Sequence, residues 1–169
     1  SKSGQKVLLF DADLGLANID IQLGINPSKD LSGVVAGKYS LQDAIMRVPD
    51  TKIDLLAGKS GSGILTVLKS DKILFVKENI EKISKYYDWV ITDLSAGIDS
   101  NVRTLTCNNG IIFVVTTNDP TSLTDAYVYI KILNMKYPNS DIRILVNMAK
   151  SKKEGLNTFE TIYNSCKNF

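Results

Sequence analysis

Val7-Leu8-Leu9-Phe10-Asp11-Ala12-Asp13 joins four consecutive apolar residues to two carboxylates set one residue apart. The apolar run is far below the roughly 18 residues of a membrane helix, and too continuous for a strand with one wet face. It therefore reads as a strand buried on both sides. Runs of the same kind recur at Ile53 to Ala57, Trp89 to Thr92, Ile111 to Thr116 and Ile142 to Val146, each bounded by turn residues. Most intervals between them carry helical patterns, and parallel strands joined by crossover helices define the α/β class.

The clearest helix follows Asp71, a capping side chain. Ile73, Val76, Ile80, Ile83 and Tyr87 form its apolar stripe, and Lys72, Lys77, Glu78, Glu81, Lys82 and Lys85 fill the other face. Ser40 with Asp43 resembles a capping box for a short helix ending before Pro49, and Asp30 is placed to cap another from Leu31. Further helices fit Ser122 to Met135 and Lys153 to Cys166, the second with Leu156, Phe159, Ile162, Tyr163 and Cys166 on one face. No repeat, linker or low-complexity stretch interrupts residues 1–169, which read as one domain.

Composition narrows the chemistry. Twenty Lys plus Arg against 18 Asp plus Glu leave a net charge of +2, so bulk electrostatics gives no reason to expect nucleic-acid binding. The two cysteines, Cys107 and Cys166, stand singly and there is no histidine, which points away from zinc and disulfide frameworks and fits a reducing cytoplasm. Without histidine, Ser-His-Asp and Cys-His mechanisms are excluded, and carboxylates, amides and backbone groups must carry any catalysis. The start at Ser1, with no signal pattern or initiator Met and a strand following at once, suggests a fragment.

Polar residues follow the strands: Asp11 and Asp13 the first, Asp93 the third, Thr117-Asn118-Asp119 the fourth and Asn147 the fifth. Ligands of an open parallel sheet bind beyond the carboxyl ends of the strands, so these groups should share one crevice. Clustered carboxylates repel unless a hard cation lies between them, and Mg²⁺ completes its shell with substrate phosphates. The alternative is that each Asp merely caps the next helix. G-x-x-x-x-G-K-[ST] is absent; Gly58-Lys59-Ser60-Gly61-Ser62-Gly63 would put the motif's leading glycine inside the second strand, and reads better as a flexible turn whose Lys59 could touch a partner or ligand.

Residues 7–20, VLLFDADLGLANID, resemble the MinD/ParA family of deviant Walker-motif ATPases, in its flagellar-number (FlhG) branch. Asp93-Leu94-Ser95-Ala96-Gly97 is similar to the family's D-x-x-A-G segment, Thr116 to Tyr127 to its T-T-x-x-P-[TS]-x-x-T-D-A-Y segment, and Val146-Asn147-Met148 to its last shared motif. Lys153-Glu154-Gly155 resembles the FlhG branch. The matches run in order from residue 5 to about residue 165.

The resemblance implies a three-layer P-loop NTPase-like domain that binds ATP and Mg²⁺. Asp11 and Asp93 would lie on the metal side, Asp93 as the Walker B carboxylate. Asp13 would orient or deprotonate the attacking water. Gly97 would offer its N–H near the terminal phosphate, though it also suits a bare tight turn. Asn147 would pair with the adenine edge, or simply cap a turn. Pro120 to Asp125 would start a helix near the nucleotide, with Thr121 or Ser122 as its cap. Asn18 and Asp20 either belong to a switch facing a second subunit or cap a short helix. Leu94 departs from the small hydroxyl residue usual after the Walker B Asp, and the family's first strand, phosphate loop and first helix would precede Lys6.

From this follow an ATP-dependent homodimer, a regulatory protein docking at the switch surface around Leu14 to Ile21, and peripheral membrane contact through a helix beyond residue 169. The chain alone is expected to be inactive. Two other functions remain at this stage: a degenerate, non-catalytic interaction module, and a receiver-like phosphoacceptor built from Asp11, Asp13, Asp93, Thr117 and Lys150.

Overall fold

The computed structural model describes residues 4–13, 15–58, 70–106 and 110–167. The chain groups into two compact units, Ser1–Leu105 and Thr106–Phe169, each with its own sheet.

In the first unit, β1 (Val7–Ala12) pairs in parallel with β3 (Ile53–Leu56) on one edge and β4 (Trp89–Leu94) on the other. A short strand that the sequence pattern does not announce, β2 (Ile45–Arg47), adds antiparallel to β3 and gives the order β2-β3-β1-β4. It shortens the helix expected to reach Pro49. The Ser40–Asp43 capping box forms, but its helix α3 covers only Leu41–Ala44. Beyond it, Ile45, Met46 and Arg47 give their backbones to β3, so sheet pairing overrides the helical continuation.

Upstream of α3, α1 (Ile19–Leu23) and α2 (Leu31–Val35) fill the crossover, and the Asp30 carboxylate accepts the Gly33 N–H as expected of a cap. Leu8, Phe10 and Ala12 point to one face of the sheet, where Leu31, Val34, Ile73, Val76, Ile83 and Leu105 cover them. The last four come from α4 (Ser70–Ser84) and α5 (Ser100–Leu105). Asp71 falls inside the first turn of α4 rather than at its cap. The opposite face packs Leu9, Ile53, Leu55 and Ala57 beneath Ile19 and Val48. β1 is thus covered on both sides, as its unbroken apolar run demands.

β4 is not covered in this way. Trp89 and Ile91, register partners of Val7 and Leu9, are each 52% exposed. The equally continuous apolar sequence of β4 therefore has one bare side, and the five-residue α1, whose Ile19 packs over Leu9 and Leu55, is the helix on that face.

In the second unit, β5 (Ile111–Thr116) and β6 (Asp141–Val146) pair in parallel. α6 (Pro120–Lys136) and α7 (Lys152–Cys166) lie on the same face, where Ala126, Ile130 and Ile162 pack with Ile112, Val114, Ile142 and Ile144. On the other face Phe113 and Val115 are more than half exposed. The apolar set expected on one face of α7 also divides: Ile162 is buried, whereas Leu156 and Tyr163 are exposed. α6 begins two residues earlier than its apolar pattern, because Asp119 caps it by accepting the N–H groups of Thr121 and Ser122, and Pro120 occupies the first turn. Neither Thr121 nor Ser122 is the cap.

A buried polar knot ties the first unit's sheet to the chain after α4. Asp54, 7% exposed, accepts Arg47 Nε at 2.7 Å and the Tyr87 hydroxyl at 2.9 Å. Burial, reinforced by the hydrogen bond to Asp54, pushes Tyr87 from 10.0 up to about 12. The native state thus holds this proton more tightly than the unfolded chain, and the associated stability is complete below about pH 10 and lost as pH rises through about 12. Tyr87→Phe should cost about 1–3 kcal/mol in urea unfolding near neutrality. The gap between the two proteins should close as the pH is raised through that window; a constant gap would contradict the pairing.

Candidate functional site

The β1–β4 register sets Asp11 directly opposite Asp93, at the carboxyl ends of adjacent parallel strands. Neighbouring strands lie about 4.8 Å apart, which makes these two carboxylates close neighbours. Asp11 is 1% exposed. Its Oδ2 accepts the Asn18 and Ile19 N–H groups, both at 3.0 Å, and Oδ1 accepts that of Asp13 at 3.3 Å. One carboxylate thereby folds the chain after β1 back on itself and satisfies the first N–H groups of α1.

Asp13 holds the same loop from within, its Oδ1 accepting from Gly15 at 3.1 Å and Leu16 at 2.9 Å. Ala17, 2% exposed, plugs the loop against Gly58, which follows β3. A Cβ at residue 58 would lie 2.6 Å from that of Ala17 and 3.1 Å from the Asp11 carbonyl oxygen, so glycine permits the close approach. Gly58 is the described part of the glycine-rich stretch; Lys59 to Gly63 lie outside the described residues.

The electrostatics follow from this crowding. Burial raises the Asp11 carboxyl above 3.8, its three N–H donors pull it back, and the Asp93 charge raises it further. Asp93 is itself raised, first by the protein matter packed around its otherwise exposed side chain and then by the Asp13 charge. Two neighbouring carboxylates, Asp11 and Asp93, whose ionisation is disfavoured suit a cation nearby. Among the described residues no group of three or more side chains forms a ready metal cage. The paired carboxylates of Asp11 and Asp93 are a donor set that suits an ion such as Mg²⁺, which takes one or two carboxylates and fills its remaining positions with water and phosphate oxygens. Gly97, after β4, has φ 105°, a conformation natural to glycine, and it is exposed.

Asn147 and Pro120 belong to the second unit, on the loops after β6 and β5. The Asn147 N–H donates to the Thr116 carbonyl at 2.7 Å and its Oδ1 accepts from Met148 N at 2.9 Å. Met148 has φ 57°, so the turn is sharp. Pro120 stands at the first turn of α6, and the Ser122 hydroxyl accepts the Thr117 N–H at 3.1 Å. Glu154, which the sequence shows only as a branch-like residue, links the two loops: Oε1 accepts Asn118 Nδ2 at 2.6 Å and Oε2 accepts the Lys150 N–H. Ser151 and Glu154 carry the S-x-x-E signature and Ser151 does cap α7, but the Glu154 carboxylate is diverted to these loops. Beside it lies an open cavity of about 500 Å³, lined by Asn118, Lys150, Lys153, Asn157 and Thr161 among others; neither Asn147 nor Pro120 lines it.

Sequence comparison decides the family. The chain is 35% identical over 156 residues to the antiactivator FleN of Pseudomonas aeruginosa, covering 92% of this chain and 55% of FleN. It is 34% identical over 169 residues to the flagellum site-determining protein YlxH of Helicobacter pylori, covering 99% and 56%, and 32% identical over 154 residues to the septum site-determining protein MinD of Thermotoga maritima, covering 89% and 55%. The chain belongs to the MinD/ParA family. It spans a little over half the length of these relatives. No protein-family model matches it.

The MinD/ParA fold is shared with solved structures. A ParA family ATPase from Chlorobium tepidum superposes with a TM-score of 0.77 at 21% identity, over 95% of this chain and 68% of that one. MinD of Pyrococcus horikoshii complexed with Mg-ADP gives 0.74 at 23%, over 93% and 66%. The receiver-like reading gains no support, since the crossover between β1 and β3 carries three helices and an antiparallel strand.

Asp11→Ala strands the N–H groups of Asn18 and Ile19 and should cost about 1–3 kcal/mol of unfolding free energy. Asp11→Asn keeps an acceptor and discards a charge that burial disfavours, so its loss should be smaller. Because the native Asp11 carboxyl is raised, wild type is favoured by protons bound below 3.8 and loses that contribution as pH rises through the native value. The balance should therefore move toward Asp11→Asn between about pH 4 and about pH 7, as read by urea unfolding. An unchanged balance would mean that the carboxylate is not desolvated.

Proposed function

We propose that the protein to which this chain belongs is an ATP-driven switch of the MinD/FlhG kind, controlling the position or number of a cellular structure. The single observation that carries this reading is the pairing of Asp11 with Asp93 across β1 and β4, with Asp13 on the loop that Asp11 secures. Residues 1–169 form part of one P-loop NTPase-like domain. The phosphate loop and its lysines come from outside the chain.

In this site Asp93 and Asp11 lie on the metal side, and the buried, backbone-anchored Asp11 acts best through water. Mg²⁺, when bound, supplies positive charge to the phosphate oxygens. Asp13 orients the attacking water or takes its proton, and its anchoring to Gly15 and Leu16 makes that role sensitive to the shape of the loop. Gly97, in an exposed turn at φ 105°, would offer its N–H to the terminal phosphate. Asn147 keeps Oδ1 on Met148 N, so its amide NH₂ is the group for the adenine edge. Pro120 fixes the neighbouring helix start. ATP promotes a homodimer, ADP releases it, and the protein works in the cytoplasm with peripheral membrane contact.

A partner-docking role for the switch surface has its own support. Leu16 is 75% and Ile21 68% exposed on the loop and helix that Asp11 holds, so a regulatory protein seated there would sense the site. Leu14 lies outside the described residues.

The full-length protein should release phosphate from Mg-ATP in a manner that Asp13→Ala reduces at least about 10²-fold, while calorimetry still detects ATP binding. The 169-residue chain by itself should show no turnover above background, since the groups that neutralise transferring phosphate lie elsewhere. Turnover by the chain that Asp13→Ala abolishes would overturn that division of labour.

A further inference from the structure

We propose that Glu154 is a positioning residue for base recognition, holding the Asn147 turn to the loop after β5. This rests on the assignment of Asn147 to the adenine edge. The turn Asn147-Met148-Ala149-Lys150 is fixed at both ends and nowhere regular between. Its first N–H is bound to the Thr116 carbonyl and its last to the Glu154 carboxylate. Between them Met148 holds φ 57° with its side chain 80% exposed, so its own packing does not secure the bend. A left-handed non-glycine residue persists only where its surroundings enforce it.

Glu154 is suited to that task. Its backbone is set by the first turn of α7, where its N–H is capped by the Ser151 hydroxyl at 3.2 Å. Its two oxygens then divide between the two loops, Oε2 to Lys150 N and Oε1 to Asn118 Nδ2. Both bonds are charge-assisted, the stronger kind. A carboxylate is the one side chain of this length that accepts on both oxygens, whereas a glutamine would set an NH₂ against one of the donors. In this arrangement Glu154 acts through the loops and sets where Asn147 stands.

The test uses the full-length protein, titrated with Mg-ATP and Mg-GTP. Glu154→Ala should raise the KM for ATP about tenfold, as loss of a supporting partner typically does, with a smaller change in kcat. It should also lower the preference for ATP over GTP, with the melting temperature nearly that of wild type. Glu154→Gln should fall between wild type and Glu154→Ala, and Asn118→Ala, which removes one arm of the clamp, should lose less than Glu154→Ala. Base preference and KM within twofold of wild type in Glu154→Ala would overturn the proposal, as would KM and kcat losses that merely track lost folded protein. Asn147→Ala separates the two readings. If it leaves base preference intact, the adenine assignment fails; if it erases base preference and Glu154→Ala does not, only the role of Glu154 fails.

Discussion

A carboxylate removed from water must find donors, and in this chain that requirement organises the site. Asp11 is sealed at the end of β1 and can remain there because three backbone N–H groups turn toward it. The loop therefore closes over its own strand, Asp13 is held just past the carboxyl end of β1, and α1 starts where the Asn18 and Ile19 N–H groups are already satisfied. Gly58 makes room for the Ala17 methyl that completes the closure. Remove the charge and its donors, and the remaining acidic residues have no common address.

The second unit solves a related problem with a different device. Its two strand-end loops are anchored by capping residues at α6 and α7, and joined by a carboxylate borrowed from the helix that follows. In both units an acidic side chain spends its hydrogen-bonding capacity on the chain's own loops, Asp11 on three backbone N–H groups and Glu154 on the Lys150 N–H and the Asn118 amide. The groups left to meet a ligand are then presented by loops that are already ordered, which lowers the entropy cost of binding.

Much of this was legible in the residue pattern. The five apolar runs marked β1, β3, β4, β5 and β6, because hydrophobic continuity is a local property that pairing then uses. The adjacency of the strand-end acids Asp11 and Asp93 was legible by the same logic, and the β1–β4 register sets them opposite one another. β2 was not legible, since three residues with helical neighbours become a strand only through β3. The resemblance suggests Thr121 or Ser122 as the cap of α6, whereas Asp119 accepts both of their N–H groups; side-chain reach, not residue type, decides that competition. The bare side of β4 and of β5 was invisible because the sequence shows how apolar a strand is, not what lies above it. Glu154 was overlooked for a similar reason: the S-x-x-E spacing shows the cap but not where the carboxylate turns.

The spacing of the paired strands also bears on the order in which the units assemble. β5 and β6 are separated by a single capped helix, α6, whose start is preset by Asp119 and Pro120. The strand that carries Asp11 must instead wait for a partner far along the chain, as the Lys6 to Asp88 contact at a separation of 82 residues shows. Loop-closure entropy favours the nearer pairing, so the second unit should gain structure before the first on the way from the ribosome to the native state, even though it is translated second.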